Sequence, residues 1–387
     1  MVSSNVDVVI VGAGIVGAAL AVSLRNSGLQ LAVVEASPPE RTTGAWDTRV
    51  YAISPGSARL LSDAGIWQQI DSARLGPVHA MDVRGDHGAR LVLDAYEAGV
   101  SELAWIVESG RIQHALWQAL QQQDNVLLRA GVSGVALGWS GDNARIELSD
   151  GSVMTSSLVV AADGRPSWVR GQAGLEARRG DYHQSGVVAN FACERSHRQI
   201  ARQWFREDGI LAWLPLPDDV VSMVWSTDPD HAAELAGMPA DVLAGRVAAA
   251  GGHELGDMHL VTSPAVFPLS ILRVPSLVAP GLALIGDAAH GVHPLSGQGV
   301  NLGLRDVAAL SSVLLARGDA PCGDLALLRR YERRRRGDIL VMQGVTDGLH
   351  RLFQVRNPLV AALRNAGMDI LQRLEPLKST LIRQALS

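Results

Sequence analysis

The chain has 387 residues, enough for two domains that share one large core. Nearly half of it (47%) is apolar and its formal net charge is −5, which excludes a disordered chain and a basic nucleic-acid binder. The apolar runs are too short, or too often broken by Gly and charge, to span a bilayer, and residues 1–7 carry no basic region or cleavable apolar segment, so no signal peptide is expected.

Residues 7–11, Asp-Val-Val-Ile-Val, form a continuous apolar run of the type buried in parallel sheets. Gly12-Ala13-Gly14-Ile15-Val16-Gly17 follows at once, and a helical run over 18–24 comes next. Gly12 allows a tight turn, Gly14 lets a pyrophosphate approach the backbone, and Gly17 lets helix and strand pack closely. The helix N-terminus offers free N–H groups and the positive end of its dipole to the phosphates. A second strand over 31–34 ends in Glu35, an acid placed to accept hydrogen bonds from ribose hydroxyls. The competing reading is a Gly-rich turn with no ligand. A strand before, a helix after and an acid at this distance argue against it.

Further along, a helix is expected over 112–122, a strand over 126–129, and an apolar strand over 158–162 that runs into Asp163-Gly164. Ser167 and Arg170 come four and seven residues after Asp163. Alone, that segment reads equally as a strand ending in a turn. Residues 76–104 and 181–273 have another texture. Alternation at 187–193 and 220–225, with apolar strand edges at 203–206 and 210–217, predicts antiparallel strands. Cys193 and Cys322 lack metal or redox spacing and read as buried thiols in a reducing compartment.

Residues 281–306 are the most informative stretch. An apolar strand over 282–285 stops at Gly286-Asp287, a proline (Pro294) and the turn Gly297-Gln298-Gly299 follow, and a helical run begins near Asn301. That order suits a backbone passing close to a flat, phosphate-tailed cofactor, with a helix N-terminus aimed at it. His290 and His293 flank the segment and read as cofactor or substrate contacts or as hydrogen-bonded structural histidines. Residues 329–336 hold a run of arginines, read as a solvated helix face rather than a phosphate or membrane contact. Residues 349–386 form an amphipathic tail, for core packing or for docking to a membrane surface or partner.

With these motifs in this order, the chain resembles flavoprotein monooxygenases of the para-hydroxybenzoate hydroxylase type. The Gly12–Gly17, Asp163-Gly164 and Gly286-Asp287 segments match that family's Gly-rich, Asp-Gly and Gly-Asp motifs. The string from His293-Pro294 through Gly297-Gln298-Gly299-Val300-Asn301 to Asp306 is similar to the ubiquinone-biosynthesis hydroxylases. So are Arg49–Ser54, Trp105–Glu108 and the tail around Asn357-Pro358, Gly367 and Pro376. The resemblance covers essentially the whole chain.

It implies an α/β fold, α+β overall. A Rossmann-like FAD-binding domain would occupy 1–75, 105–180 and 274–345, an inserted antiparallel-sheet substrate domain 76–104 and 181–273, and a C-terminal helical region 346–387. Gly12, Ala13, Gly14, Ile15, Val16 and Gly17 would hold the FAD pyrophosphate and Glu35 the adenosine ribose. Arg49 would reach the phosphate or ribityl side; its alternative is a surface arginine beside Asp47. Gln113 stands where relatives often place an arginine near the cofactor. Val132 falls where backbone contacts to adenine are expected. Asp163 and Gly164 would serve FAD and the nicotinamide donor, and Gly286 and Asp287 the ribityl chain. Pro294, Gly297, Gln298, Gly299, Val300 and Asn301 would line the isoalloxazine ring.

The implied activity is hydroxylation of the ring of a polyprenylated phenol in ubiquinone biosynthesis, using NAD(P)H and O2 through a flavin C4a-hydroperoxide. No nucleophile, triad or metal is required, and no metal-ligand cluster is evident. With no second Gly-x-Gly-x-x-Gly motif after a strand, NADPH or NADH would bind transiently over the flavin. The implied location is the cytoplasm or the periphery of the inner membrane, with a membrane surface or other quinone-biosynthesis proteins as candidate contacts and no nucleic acid. Two other readings stand beside this one. One is a hydroxylase of a small soluble aromatic acid, its carboxylate held by Arg195, Arg198, Arg202 and Arg206. The other is a non-catalytic FAD-holding subunit. A flavin halogenase lacks support, because the Trp-rich segment of that class is missing.

Overall fold

The computed structural model describes residues 3–40, 44–85, 88–292 and 298–354, together with residue 372. An eight-stranded sheet is built around the Ser3–Val11 strand, which starts before the apolar run and is flanked by Val153–Ala161 and Leu31–Glu35, both parallel to it. Leu282–Leu284 and Val126–Ala130 extend the parallel set on either side. The Gly134–Ser140 and Asn143–Leu148 hairpin pairs antiparallel with the N-terminal half of Val153–Ala161. Val8, Val9 and Ile10 are fully buried, as a strand covered on both faces requires.

Helices supply that cover. Ile15–Ser23 is buried almost all round and packs against Ser109–Gln121 and Gly299–Leu315. The last of these begins two residues before Asn301, and Ser109–Gln121 begins three before the expected start. Leu325–Gln354 packs in turn on Gly299–Leu315. Its arginine run differs from the expected solvated face at one position. Arg329, Arg330, Arg333, Arg334 and Arg336 are exposed, but Arg335 is 3% exposed. Leu328, Tyr331, Arg335 and Ile339 share the buried stripe of this helix, and the Tyr331 hydroxyl donates to the Leu284 carbonyl at 2.8 Å. The tail beyond 354 lies outside the described residues, apart from Gln372, whose Oε1 accepts from the Val92 N–H at 2.8 Å. Cys322 is buried and Cys193 half-buried, and burial raises both thiols, Cys193 to about 12.

A nine-stranded, mainly antiparallel sheet is the second layer, with the sixteen-residue strand Arg178–Cys193 paired to Val220–Thr227 and Ala265–Arg273. Its two faces differ. Val187, Ala189, Phe191, Leu211, Trp213, Met223 and Trp225 form one core with residues of the Pro229–Gly237 and Ala240–Ala250 helices, including Leu235, Leu243 and Val247. The opposite face, carrying Ala201, Leu214, Leu216 and Val220, packs on Val50, Ala52 and Ile106 of a three-stranded sheet. That face therefore looks toward the cofactor-motif half of the molecule. Asn190 on the same face ties it down, its Nδ2 donating to the Asp47 carbonyl at 2.9 Å.

Candidate functional site

The parallel register brings the sequence motifs together. Val11 is level with Ala161 and Val34, Ala161 with Leu284, and Glu35 with Ala130. The strands end at one edge of the sheet. Gly12, Glu35, Val132, Asp163 and Gly286-Asp287 therefore all emerge there, in the crevice where open parallel sheets bind ligands.

The three glycines of the first turn do different work. Gly12 has φ +100°, and a Cβ on it would lie 2.4 Å from the Ala162 carbonyl oxygen. A Cβ on Gly17 would lie 2.0 Å from the Gly12 carbonyl oxygen. Packing of the chain on itself explains both. Gly14 is different, because a Cβ there meets nothing within 4 Å among the described residues. It is the N-cap of Ile15–Ser23, and no side chain caps the helix. The open space thus faces a helix N-terminus whose first amides lack partners in the helix. Ala13 is buried and its N–H donates to Glu35 Oε2 at 2.6 Å. Glu35 Oε1 accepts from the Ser37 N–H at 2.8 Å, and each carboxylate oxygen retains a lone pair for a further donor.

Two arginines tie the segment that follows Asp163 to the Asp287 turn. Arg165 Nε donates to Asp287 Oδ2 at 3.2 Å, and its Nη1 donates to both oxygens of Ser270 at 3.0 Å. Arg170 is buried, with Nη1 donating to the Ala288 carbonyl at 2.7 Å and Nη2 to the Arg165 carbonyl at 2.8 Å. Gly164 takes φ +79°, the turn that lets the chain come back. Asp163 Oδ2 accepts from the Val169 N–H at 3.0 Å, while its buried Oδ1 has no partner among the described residues. The Asp287 side chain is 45% exposed, so it keeps acceptor capacity facing the crevice.

Gly286 has φ +58°, and Val16 wedges between it and Gly303: a Cβ on Gly303 would lie 2.6 Å from Val16 Cγ2. The Gly286 N–H donates to Asp306 Oδ2 at 2.9 Å. The same fully buried carboxylate pairs with His290 Nε2 at 2.6 Å and Arg335 Nε at 2.7 Å. Burial pushes the Asp306 carboxyl up, but His290 and Arg335 outweigh it and hold it below the ordinary carboxylate range. His290 is thus a hydrogen-bonded buried histidine, the second of its two readings. His293, Pro294 and Gly297 lie outside the described residues.

Beyond them, Gln298 is the N-cap of Gly299–Leu315, with no capping side-chain bond, and its Oε1 accepts from Asn301 Nδ2 at 3.4 Å. A Cβ on Gly299 meets nothing within 4 Å among the described residues, and Val300 is buried. Asn301 is fully buried, and both ends of its amide are used by the chain. Oδ1 accepts from the Ser54 N–H at 3.0 Å, and Nδ2 donates to the Ala52 carbonyl at 2.7 Å. Its side chain latches the helix to the 52–54 segment. What this end of the helix offers a ligand is the backbone N–H groups of its first turn.

Arg49 is exposed and lies 5.3 Å over the Tyr51 ring. Burial raises the Tyr51 phenol pKa, with Arg49 pulling it down and Asp287 and Asp47 pushing it up, so these groups share one neighbourhood. The Asp47 carboxylate is occupied by the amides of Arg49 (2.9 Å) and Gly110 (3.0 Å). Sequence reasoning missed the anchor beneath. Buried Glu108 accepts from Arg74 Nε (2.8 Å) and Nη2 (2.7 Å), Arg111 Nε (2.6 Å) and the Asp47 N–H (2.8 Å). It fixes the loop that presents Arg49. Half-buried Gln113 makes no side-chain hydrogen bond among the described residues, and half-buried Val132 follows Gly131, whose N–H donates to the Glu35 carbonyl at 2.8 Å.

The four arginines of the aromatic-acid reading lie elsewhere. Arg202 is level with Trp213, and Arg206 shares its strand face, so both belong to the sheet face turned away from the cofactor motifs. Arg206 pairs with Asp208, and Arg202 with Glu254. Arg195 and Arg198 lie in the connection leading into the Arg202 strand, beside the same outer cavity as Arg202.

A family model described as FAD binding domain matches residues 5–341. The Escherichia coli protein named 3-demethoxyubiquinol 3-hydroxylase is 36% identical over the whole of both chains. Ubiquinone hydroxylase UbiL of Rhodospirillum rubrum is 36% identical over 98% of this chain and 89% of that protein. The human mitochondrial ubiquinone biosynthesis monooxygenase COQ6 is 31% identical over 97% of this chain and 91% of its own length. Among solved structures, p-nitrophenol 4-monooxygenase PnpA from Pseudomonas putida superposes with a TM-score of 0.80 at 19% identity, over 100% of this chain and 99% of that one. A Klebsiella pneumoniae HpxO variant complexed with FAD gives 0.75 at 18% identity, over 97% and 98%. The chain belongs to the FAD binding domain family and, within it, to the group that holds the ubiquinone-biosynthesis hydroxylases.

Proposed function

We propose that this FAD-dependent monooxygenase hydroxylates the ring of a polyprenylated phenol in ubiquinone biosynthesis. One oxygen atom of O2 enters the ring, the other leaves as water, and NAD(P)H supplies the electron pair. The observation that carries the reading is the meeting of all three motif ends at one sheet edge, beneath a second sheet. The division of the chain into a discontinuous FAD-binding domain and an inserted sheet domain belongs to the same proposal.

The residues fit the cofactor. The space at Gly14, before an uncapped helix, suits a diphosphate, and Glu35 and Asp287 keep acceptor capacity for sugar and ribityl hydroxyls. Asp163 Oδ1, buried and unpartnered among the described residues, is an acceptor awaiting a donor. When bound, FAD supplies the redox and oxygen chemistry. The protein's part is to bind, orient and exclude water. The first-turn amides of Gly299–Leu315 would stabilise negative charge on the ring system of a flavin held in this crevice. Asn301 holds that helix end against 52–54, and Asp306 holds the Gly-Asp turn.

The aromatic-acid alternative is weakened by its own arginines, all of which lie on the far side of the substrate sheet. Peripheral membrane contact is supported by an exposed apolar stripe on Leu325–Gln354, formed by Leu340, Val341, Val345 and Leu352. Among the described residues no helix is long and apolar enough to cross a membrane.

The test compares NAD(P)H-coupled hydroxylation of prenyl phenols of increasing tail length with that of hydroxybenzoates. Each buried methylene contributes about 0.8 kcal/mol, so kcat/KM should climb with tail length. Tight coupling with a short hydroxybenzoate, and none with prenyl phenols, would assign the enzyme to the aromatic-acid class. No substrate-stimulated NAD(P)H oxidation by the FAD-loaded protein would favour a non-catalytic subunit.

A further inference from the structure

We infer that the outer face of the nine-stranded sheet carries a binding site for a phosphate-bearing ligand, built from Arg84, Arg90, Arg195, Arg198 and Arg202 around a cavity of about 520 Å³. The site is separate from the flavin crevice. Register sets Arg84 level with Arg90 and Trp204, and Asp82 level with Arg202 and Val92, so these side chains share one face. Arg202 is level in turn with Trp213, which lies in the core under the Ala240–Ala250 helix. The face that meets the cofactor half carries Ala201 instead.

The charge count points to an anion. Asp82 is buried and pairs with Arg84 and Arg90; Glu254 pairs with Arg84 and Arg202. Among the described residues that line the cavity, five guanidinium groups therefore face two carboxylates, an excess of three positive charges, in a chain whose net charge is −5. Arg195 and Arg198 are exposed, and their guanidinium groups have no partner among the described residues. Solubility alone does not call for like charges to converge on one concavity of an acidic protein, and convergence costs mutual repulsion. Guanidinium groups pair with phosphate through two parallel N–H···O bonds, and a dianion offsets two of the three excess charges, which a single carboxylate does not.

The segment that presents the two unpaired arginines is held in place. His197 is buried between them. Its Nε2 bonds the Leu216 carbonyl at 2.7 Å, and its Nδ1 accepts from the Gln199 N–H at 3.0 Å. Arg202 Nη1 donates to the His197 and Ile200 carbonyls, each at 3.1 Å. Arg198 and Gln199 adopt φ of +53° and +58°, an uncommon pair for residues with side chains. The ligand's phosphate has two possible sources, a soluble phosphate compound or a phospholipid headgroup. The lipid arm is motivated by Tyr96, which is 91% exposed just past the Arg90–Asp94 edge strand.

The test uses full-length, FAD-loaded protein. Calorimetric titration with inorganic phosphate is paired with flotation on phosphatidylcholine vesicles with and without phosphatidylglycerol. The double variant Arg195→Ala/Arg198→Ala removes the two unpaired groups, and Arg145→Ala, on the far hairpin, is the charge control. Wild type and Arg145→Ala should bind phosphate, and the double variant should bind at least tenfold more weakly at an unchanged melting temperature. If flotation on phosphatidylglycerol is lost in the same variant, the source is a headgroup; if flotation does not depend on these arginines, the ligand is soluble. The proposal is overturned if wild type binds no phosphate at millimolar concentrations, or if the double variant binds it as well as wild type does.

Discussion

Replacing Asp306 tests whether the Gly-Asp turn is held from behind by a buried ion network. The carboxylate accepts from the Gly286 N–H, His290 and Arg335 at 2.9, 2.6 and 2.7 Å, and is fully buried. Asp306→Ala leaves Arg335, itself 3% exposed, without this partner. Removing one partner of a buried ion pair costs about 3–5 kcal/mol, a large share of a total stability of roughly 5–15 kcal/mol. Asp306→Asn keeps the shape but turns one acceptor oxygen into an NH2 donor, so the side chain can accept from the Gly286 N–H or from Arg335 but not from both. Urea unfolding of the FAD-free protein reads the fold term, and fluorescence titration with FAD reads the site term. Asp306→Ala should weaken FAD binding more than Arg335→Met does, because only the former removes the acceptor of the amide next to Asp287. The acid dependence follows from sign. Asp306 is held below its unfolded pKa, so its contribution is present above about pH 4 and is lost as pH falls through the folded-state value. The stability gap between wild type and Asp306→Asn should therefore close in acid. A fold loss below about 0.5 kcal/mol for Asp306→Ala, the range of an ordinary surface change, refutes the reasoning.

Purified protein should carry FAD non-covalently, released to the supernatant by acid or heat; Glu35→Ala and Asp287→Ala should each weaken binding by the worth of a charge-assisted hydrogen bond, about 1.5–3 kcal/mol. Gly12→Ala and Gly14→Ala should part company. The first meets the Ala162 carbonyl at 2.4 Å with φ +100° and should unfold the FAD-free protein, whereas the second meets open space and should fold normally while losing FAD affinity. Equal melting temperatures for the two FAD-free variants would contradict the assigned roles. A Cβ on Gly299 likewise meets no described residue within 4 Å, so the Gly299→Val variant should fold; its hydroxylation of the substrate should vanish, and wild-type turnover would show that Gly299 does not face the reacting ring.

The crevice proposed for FAD was legible in the sequence because its parts are local. The first strand, its glycine turn and its helix follow one another without interruption from Ser3 to Ser23, and parallel pairing brings the three motif-bearing strand ends to one edge without further information. What connects those units was not legible, because it is made by single side chains far apart in the chain. Arg165 reaches Asp287 across 122 residues, and Ser54 reaches Asn301 across 247. Nothing in the spacing of either partner announces the other. Arg335 is an intermediate case. Its place in a run of arginines suggested solvent, yet it stands four residues after Tyr331 and four before Ile339, both buried. The helical period of that stripe outranked the local charge, and the buried Asp306 is the reason an arginine can occupy it. The same competition decided the sheet arginines. Composition allowed Arg195, Arg198, Arg202 and Arg206 to serve a substrate carboxylate, but side-chain direction alternates along a strand. Arg202 and Arg206 share the parity of Trp204, and only Ala201, Gln203 and Phe205 turn to the other face. The face turned to the cofactor motifs therefore carries neither arginine; besides Ala201 and Leu214 it presents the buried neutral polar groups of Asn190, Gln203 and Ser222, none of which can pair with a carboxylate as an arginine does.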